Sequence, residues 1–264
     1  MIAEAISEVP HITEVKTMLN DDTRRKLLEL KLPEMAKAID VQDADIHCVN
    51  MSFDERMKMI DDRVHQEKHN ESVKRAIRAA KFRVDADIHS IYHIDRGFTK
   101  EETLAVASCK FVEEHKSVVI HGPTGSGKTY LGCAIGKEAC KRRLRTRYIR
   151  MPDLLMEMDE LSVVSTGKLK QLKKYSSYDL LILDEWLFED LTKDELQYTF
   201  ELIERRYDNK ATIFCTQYPK KDWHNRLAGG IHADSIMDRI VHNAIWLYTG
   251  TKNMRELTSK GYIG

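Results

Sequence analysis

Three groups of residues have the types and spacing for chemistry on a phosphate chain. The first is the stretch His121-Gly-Pro-Thr-Gly-Ser-Gly-Lys-Thr-Tyr130. Within it, Gly122-x-x-x-x-Gly127-Lys128-Thr129 follows a short apolar run, Ser117-Val-Val-Ile120, and precedes a helical pattern. A strand, a glycine loop and a helix in that order form a phosphate-binding loop. Glycines let the backbone curl so that successive N–H groups point at an anion, and the helix N-terminus adds positive potential. Gly122, Pro123, Thr124, Gly125, Ser126 and Gly127, with Lys128, Thr129 and Tyr130, are therefore expected to hold a nucleotide. Lys128 would bridge the β and γ phosphates, and the Thr129 hydroxyl would ligate Mg²⁺.

The second group is Asp179-Leu-Leu-Ile-Leu-Asp184-Glu185, an apolar strand ending in two carboxylates fifty-six residues after Lys128. That gap has room for a helix, a strand and a further helix. Asp184 would support the metal, and Glu185 would polarise a water aimed at the γ-phosphorus. A second acid there marks a hydrolase rather than a kinase that must exclude water. The plainer reading is a helix N-terminus with acids in its first turn.

The third group comes late in the chain. The strand Ala211-Thr-Ile-Phe-Cys-Thr-Gln217 ends in polar residues, and Gln217, with Thr216 second, is expected beside the acid pair. Arg239 lies on a helical stretch whose Ile236 and Ile240 face one way, so it is expected to be exposed. There it would reach the γ-phosphate of a neighbouring copy, since a permanently charged fork suits transition-state charge. The alternative is a surface ion pair. Arg255 is a weaker candidate for contact with nucleotide in its own subunit.

The elements around these groups follow from pattern. Helical text runs over 21–40 with a break at Pro33, and the first 20 or so residues have little periodicity. Capping boxes open helices at Ser52-Phe-Asp-Glu55, Thr99-Lys-Glu-Glu102 and Thr192-Lys-Asp-Glu195. The first of these leads a helix to about Lys68 with Phe53, Met57, Ile60 and Val64 on one face. Residues 85–98 lose periodicity and read as a linker. Beyond Lys128 the pattern alternates: helix 129–143, strand 146–150, helical pieces 153–174, strand 180–183, strand 211–215, helix 232–242 and strand 244–248. Alternation of this kind predicts an α/β fold with a central parallel sheet covered by helices on both faces. A small all-α domain over residues 1–92 would precede an ATPase domain over residues 93–264.

Composition sets the outer limits. The chain has 264 residues, with 42 Lys and Arg against 42 Asp and Glu, so net charge says nothing about nucleic acid. Local charge does. From Lys68 to Val84 stand Lys68, Lys74, Arg75, Arg78, Lys81 and Arg83, against the single acid Glu71. Val73, Ile77 and Ala80 make one face of that helix and Lys74, Arg78 and Lys81 another, with Arg75 and Arg83 close by. Repeated cations on a helix face match a duplex backbone and predict salt-sensitive, largely sequence-independent DNA binding. Two more clusters, Lys141–Arg147 and Lys168, Lys170, Lys173 and Lys174, compete for that role, and each also reads as a solvated helix face. Five scattered cysteines and no C-x-x-C pair point to a reducing compartment without structural zinc. His65-Gln-Glu-Lys-His69 spaces two histidines by one helical turn, but Gln66 stands where a metalloprotease places its acid, so a solvated face is expected. The sequence shows neither a signal peptide nor a run of about 20 apolar residues, which leads to a cytoplasmic expectation.

Taken together, HGPTGSGKTYLGCAIGKEAC, YDLLILDEW, LTKDELQYTFELIERRYDNKATIFCTQYP, DWHNRL and ADSIMDRIVHNA resemble the IstB-type AAA+ ATPases that assist insertion-sequence transposition. These are relatives of DnaC-type helicase loaders and DnaA-like initiators. KLPEMAKAI, MSFDERMKMIDD and KRAIRAAKF extend the resemblance into the N-terminal part. The resemblance implies an ATP- and Mg²⁺-dependent ATPase that self-assembles on double-stranded target DNA, as a ring or helix, and recruits a partner transposase. It implies that Arg239 acts in trans. A helicase loader is the alternative within this fold, and a scaffold that binds ATP without turnover is the alternative outside it; Glu185 argues against the scaffold. Two departures stand out. Gln217 occupies the position where helicase loaders usually carry Asn, and Trp186-Leu-Phe188 replaces a more usual glycine-containing turn. Sixteen residues follow Tyr248, so no substantial C-terminal lid is expected and a neighbouring subunit would close the nucleotide in.

Overall fold

Five short runs, four of them largely apolar, form one sheet in the computed structural model of the chain, which describes residues 19–161 and 166–259. The strands are β1 (Ser117–His121), β2 (Thr146–Arg150), β3 (Leu180–Asp184), β4 (Ala211–Thr216) and β5 (Ala244–Tyr248). All pair in parallel, in the order β2-β3-β4-β1-β5. Helices on both faces leave no solvated side to the central strands. Val118, Val119 and Ile120 of β1 and Leu180, Leu181 and Ile182 of β3 are fully buried. Each such side chain contributes about 1.5–3 kcal/mol by leaving water.

The helices of this region are α4 (Lys100–Ala107), α5 (Lys110–Glu113), α6 (Lys128–Lys141), α7 (Met151–Glu160), α8 (Gly167–Ser176), α9 (Lys193–Arg206), α10 (Lys220–Arg226), α11 (Gly230–Val241) and α12 (Met254–Ser259). The capping boxes at Thr99/Glu102 and Thr192/Glu195 are both formed, side chain to backbone in each direction. Strand order explains the spacing of the chemical residues. β4 lies between β1 and β3, so the end of β4 falls between the glycine loop and the acid pair.

The chain divides into two compact units, Met1–Ser72 and Val73–Gly264. The division falls within α3 (Phe53–Ala80), so residues 73–92, assigned from sequence to the helical part, belong to the sheet unit. In the first unit, α1 (Asp21–Glu29) and α2 (Pro33–Ala44) are joined by Arg24, which donates two hydrogen bonds to Asp40 at 2.8 and 2.6 Å. Gln42 on α2 and Arg56 on α3 exchange further bonds, with Gln42 Nε2 donating to the Arg56 carbonyl at 2.7 Å. The expectation for the first 20 residues lies almost wholly outside the described residues.

Two expectations about elements are corrected. The helix that starts at Phe53 does not stop near Lys68 but continues to Ala80, and Phe53 itself is 82% exposed. Residues 85–98 are not a free linker. They form an irregular strap in which Ala86, Ile88 and Phe98 are buried in the same apolar cluster as Ile120 and Leu131. The strap lacks periodicity because it has almost no regular structure, not because it lacks packing.

Candidate nucleotide site

The glycine loop runs from the end of β1 into α6 and closes on itself. Gly125 and Gly127 sit at φ +81° and +84°, where a Cβ would be strained. Gly122 is excluded from substitution by space: a Cβ there would meet the Thr249 hydroxyl at 2.0 Å. Ser126 is buried beneath the loop, and Thr249 Oγ1 donates to its hydroxyl at 2.7 Å. Lys128 Nζ donates to the carbonyls of Gly122 and Pro123 at 2.7 and 2.8 Å, so its ammonium lies inside the curl of the loop. Burial holds its pKa below the ordinary lysine value, which marks a cation short of solvent. Pro123 and Thr124 are exposed at the rim.

Thr129 Oγ1 donates to Asp184 Oδ2 at 2.7 Å, bringing together the two oxygens expected to support a metal. Asp184 is almost fully buried and has two other donors. Tyr148 OH donates to Oδ2 at 2.7 Å, and the Glu185 N–H donates to Oδ1 at 2.9 Å. Burial and the adjacent carboxylate push the Tyr148 pKa far up, so the phenol stays a donor. A hydroxyl and a carboxylate side by side are the hard oxygen pair that Mg²⁺ takes next to nucleotide phosphates.

Glu185 and Leu187 both have φ of 55°, in the left-handed region rarely used by such residues. Several contacts over-determine this turn. The Trp186 N–H donates to the Cys215 carbonyl at 2.9 Å, and Thr216 Oγ1 donates to the Trp186 carbonyl at 3.0 Å. Arg226 donates to the Leu187 and Phe188 carbonyls, both at 2.6 Å. Trp186 and Leu187 are buried against Phe214 and Trp223, so bulk here does the fixing that a glycine turn would do by flexibility. Glu185 is presented at the surface of this turn. Arg83 Nη1 donates to its Oε1 at 2.8 Å, and Arg150 Nη1 to its Oε2 at 3.4 Å.

Gln217 and Thr216 have separate tasks. Gln217 Oε1 accepts from Thr124 Oγ1 of the glycine loop at 2.8 Å, while Thr216 is buried and ties down the acid turn. Arg255 lies on α12, whose first N–H, that of Met254, donates to the Gly125 carbonyl at 2.8 Å. The Arg255 charge is one of those that lower the Lys128 pKa. The Tyr130 side chain turns to the strap, where its hydroxyl accepts from the Asp87 N–H at 3.1 Å.

Arg239 departs from expectation. It is not exposed but partly buried, because α11 packs on α9 and Glu204 of α9 pairs with its guanidinium. Its Nη1 also donates to the Ser235 carbonyl at 3.1 Å, and Phe200 and Tyr207 lie 5.6 and 5.7 Å from it. Arg239 lines a cleft with Ser117, Thr212 and Asn243, at the starts of β1 and β4 and just before β5. The glycine loop is at the other end of β1, roughly 15 Å of strand away. Arg239 is therefore not gathered with the other site residues of its own chain.

Lys74, Arg75, Arg78, Lys81 and Arg83 are all exposed, and Val73, Ile77 and Ala80 turn inward. In the second basic cluster Lys141, Arg142, Arg143 and Arg145 are exposed as well. Lys141 and Arg142 pair with Glu138, and Arg147 is buried with its Nη1 donating to the Ala79 carbonyl. In the third, Lys174 pairs with Glu157 at 3.9 Å. Among the described residues no group of three or more His, Cys, Asp or Glu is placed to hold a metal ion, and no helix is long and apolar enough to cross a membrane.

Sequence reasoning missed four site residues: Tyr148, Arg150, Arg96 and Arg226. Tyr148 and Arg150 share one face of β2, next to the acid strand, and pairing of β2 with β3 was the signal available for them. Arg96 carries no such signal. It comes from the strap, and its guanidinium donates to the Ser126 carbonyl at 2.6 Å and the Thr249 carbonyl at 2.8 Å, joining the loop to the segment after β5.

Comparison with known proteins agrees with this arrangement. An insertion sequence ATP-binding protein of Sinorhizobium fredii is 30% identical over 249 residues, covering 93% of this chain and 99% of the relative. A second, from Bacillus thuringiensis subsp. berliner, is 28% identical over 217 residues, covering 81% of this chain and 86% of the relative. Among solved structures, the DnaC helicase loader superposes with a TM-score of 0.54 at 22% identity, covering 64% of this chain and 99% of that one. The replication initiator DnaA bound to AMPPCP and single-stranded DNA gives 0.57 at 21%, covering 70% and 57%. These likenesses identify the sheet unit as an AAA+ fold. The model described as IstB-like ATP binding protein matches residues 25–261, and the chain belongs to that family.

Proposed function

We propose that the protein is an ATP-hydrolysing AAA+ protein that assembles on duplex DNA and stimulates a partner transposase. The observation that carries the reading is the Thr129–Asp184 hydrogen bond with Glu185 as the next residue. It joins a phosphate loop, a metal-supporting pair and a candidate base within one corner. Mg²⁺, held by Thr129 and Asp184, would neutralise charge on the β and γ phosphates. Lys128 would leave its loop carbonyls for those phosphates. Glu185 would take a proton from water, the water oxygen would bond to the γ-phosphorus, and the bond to the β–γ bridging oxygen would break, leaving ADP and phosphate.

Support for assembly comes from where Arg239 lies. At the strand-start edge it is remote from the nucleotide of its own chain, so a role in hydrolysis requires a second copy. Gln217, bonded to the phosphate loop, would orient the water or contact the γ-phosphate. Support for DNA comes from the exposed cations Lys74, Arg75, Arg78, Lys81 and Arg83 on one continuous stretch. Support for a transposase partner comes from the relatives, which are named for insertion sequences.

Phosphate release measured with and without duplex, across a range of protein concentrations, tests this reading. Turnover is expected to rise with both. Turnover indifferent to both would refute it. Capture of a transposase rather than a replicative helicase decides against the loader alternative.

A further inference from the structure

Asp184 accepts more hydrogen bonds than its pairing with Thr129 accounts for. Its Oδ2 accepts from two hydroxyls, Thr129 Oγ1 and Tyr148 OH, both at 2.7 Å, and its Oδ1 accepts from the Glu185 N–H at 2.9 Å. The three donors differ in origin. Thr129 is the expected metal ligand, and the Glu185 N–H belongs to the next residue of the same turn. Tyr148 comes from the neighbouring strand β2, where it stands opposite Ile182. Its ring is buried in the apolar cluster that holds Ile182, Leu180 and Cys133, so packing places the hydroxyl. The Arg83 guanidinium also bonds the Tyr148 oxygen. A guanidinium only donates, so the phenol accepts from Arg83 and its own proton is left for Asp184.

We propose that Tyr148 is a positioning residue for Mg²⁺, aiming the Asp184 carboxylate through a hydroxyl that touches neither the metal nor the nucleotide. The inference rests on the reading above that Thr129 and Asp184 hold the metal, and adds what sets the affinity of that pair. The last torsion of an aspartate is broad, so an untied carboxylate turns freely. Here one oxygen is tied to a backbone N–H and the other to a packed phenol, and the group is held in one orientation. Thr129 can then donate its proton to Oδ2 and keep its lone pairs for the cation. Mg²⁺ demands near-ideal octahedral geometry, so a support that wanders weakens its binding. Donors behind a metal's ligands typically change its affinity by about 10- to 100-fold. The plainer alternative is that a buried phenol needs an acceptor and Asp184 supplies one. Packing alone does not call for that phenol, since phenylalanine would fill the same space in the cluster with no polar group to satisfy.

The test uses the full chain with Tyr148→Phe, which removes one oxygen, and titrates Mg²⁺ against binding of a fluorescent ATP analogue and against phosphate release. Analogue binding without Mg²⁺ should match wild type. The Mg²⁺ concentration giving half the full effect should rise about ten-fold in both readouts, the low end of that range, because Thr129 and the Glu185 N–H remain on Asp184. Turnover at saturating Mg²⁺ should return close to wild type. Ile182→Val is the control, since it loosens packing beside the ring and keeps the hydroxyl. It should lower the melting temperature and leave the Mg²⁺ requirement unchanged. An unchanged requirement in Tyr148→Phe, or an equal rise in Ile182→Val, would overturn the inference and leave the functional reading intact. Loss of metal-free binding or of folding in Tyr148→Phe would show that the hydroxyl serves the fold, and would overturn it as well. If wild-type binding and turnover ignore Mg²⁺, the metal-supporting pair fails and the functional reading fails with it.

Discussion

The two ends of the central strands are built differently. At the C-terminal ends, β1, β3 and β4 deliver the glycine loop, Asp184 and Gln217 into one corner, and hydrogen bonds already join them. At the N-terminal ends, the one residue expected to act on nucleotide, Arg239, is paired with Glu204 and partly buried, and its Nε is without a hydrogen-bond partner. The first edge is organised for its ligand before the ligand arrives. The second holds a cation in reserve. A parallel sheet makes this division natural, since the C-terminal ends of all its strands gather on one side and the N-terminal ends on the other.

Changes at the organised edge should have the largest effects. Lys128→Ala is expected to lower turnover by on the order of 10²- to 10³-fold and to weaken ATP binding, read by phosphate release and nucleotide titration. Glu185→Gln should lose turnover by on the order of 10²- to 10⁴-fold yet bind ATP as wild type does. Equal loss of binding would show that Glu185 holds the loop rather than the water. At the other edge, Arg239→Ala should cost on the order of 10³-fold in turnover of the assembled protein. ATP binding by the dilute single chain should not change, and a change there would place Arg239 within its own site and erase the contrast. Gly122→Ala separates packing from chemistry: a Cβ overlapping Thr249 should cost about 1–3 kcal/mol, seen as a lower melting temperature without nucleotide. The smallest effect concerns the basic stretch. Changing Lys74, Arg75 and Arg78 to Ala should weaken duplex binding and reduce its log–log salt slope by about 3, with ATP affinity unaffected. An unchanged slope would move the duplex to another face.

What was legible from sequence follows the same division. Most strands around the site were readable because each is a short, largely apolar run; Leu180–Asp184 and Ala244–Tyr248 are examples. The meeting of the glycine loop with Asp184 was foreshadowed by their spacing, and Thr129 and Asp184 are hydrogen-bonded. Arg239 misled because helical periodicity places a residue on a face but does not say what packs on that face. Its neighbours Glu204, Phe200 and Tyr207 come from α9 and the residue that caps it, more than thirty residues earlier. The strap defeated reading for a related reason. Its buried Ala86, Ile88 and Phe98 follow no period, and Arg96 acquires its role only from the carbonyls of Ser126 and Thr249. The pairing of Arg83 with Glu185 spans 102 residues and joins two features that looked separate, a DNA-binding stripe and a catalytic acid.

The division of labour between the two edges can be tested by mixing subunits. Lys128→Ala chains keep Arg239 but lack a working loop, and Arg239→Ala chains keep the loop but lack the reserve cation. Each alone should be nearly inactive on duplex DNA. An equal mixture should regain about a quarter of wild-type turnover, because about one junction in four joins an intact loop to an intact Arg239. A mixture as inactive as its parts, or an Arg239→Ala protein as fast as wild type, would contradict an ATP site completed by a second copy of the chain.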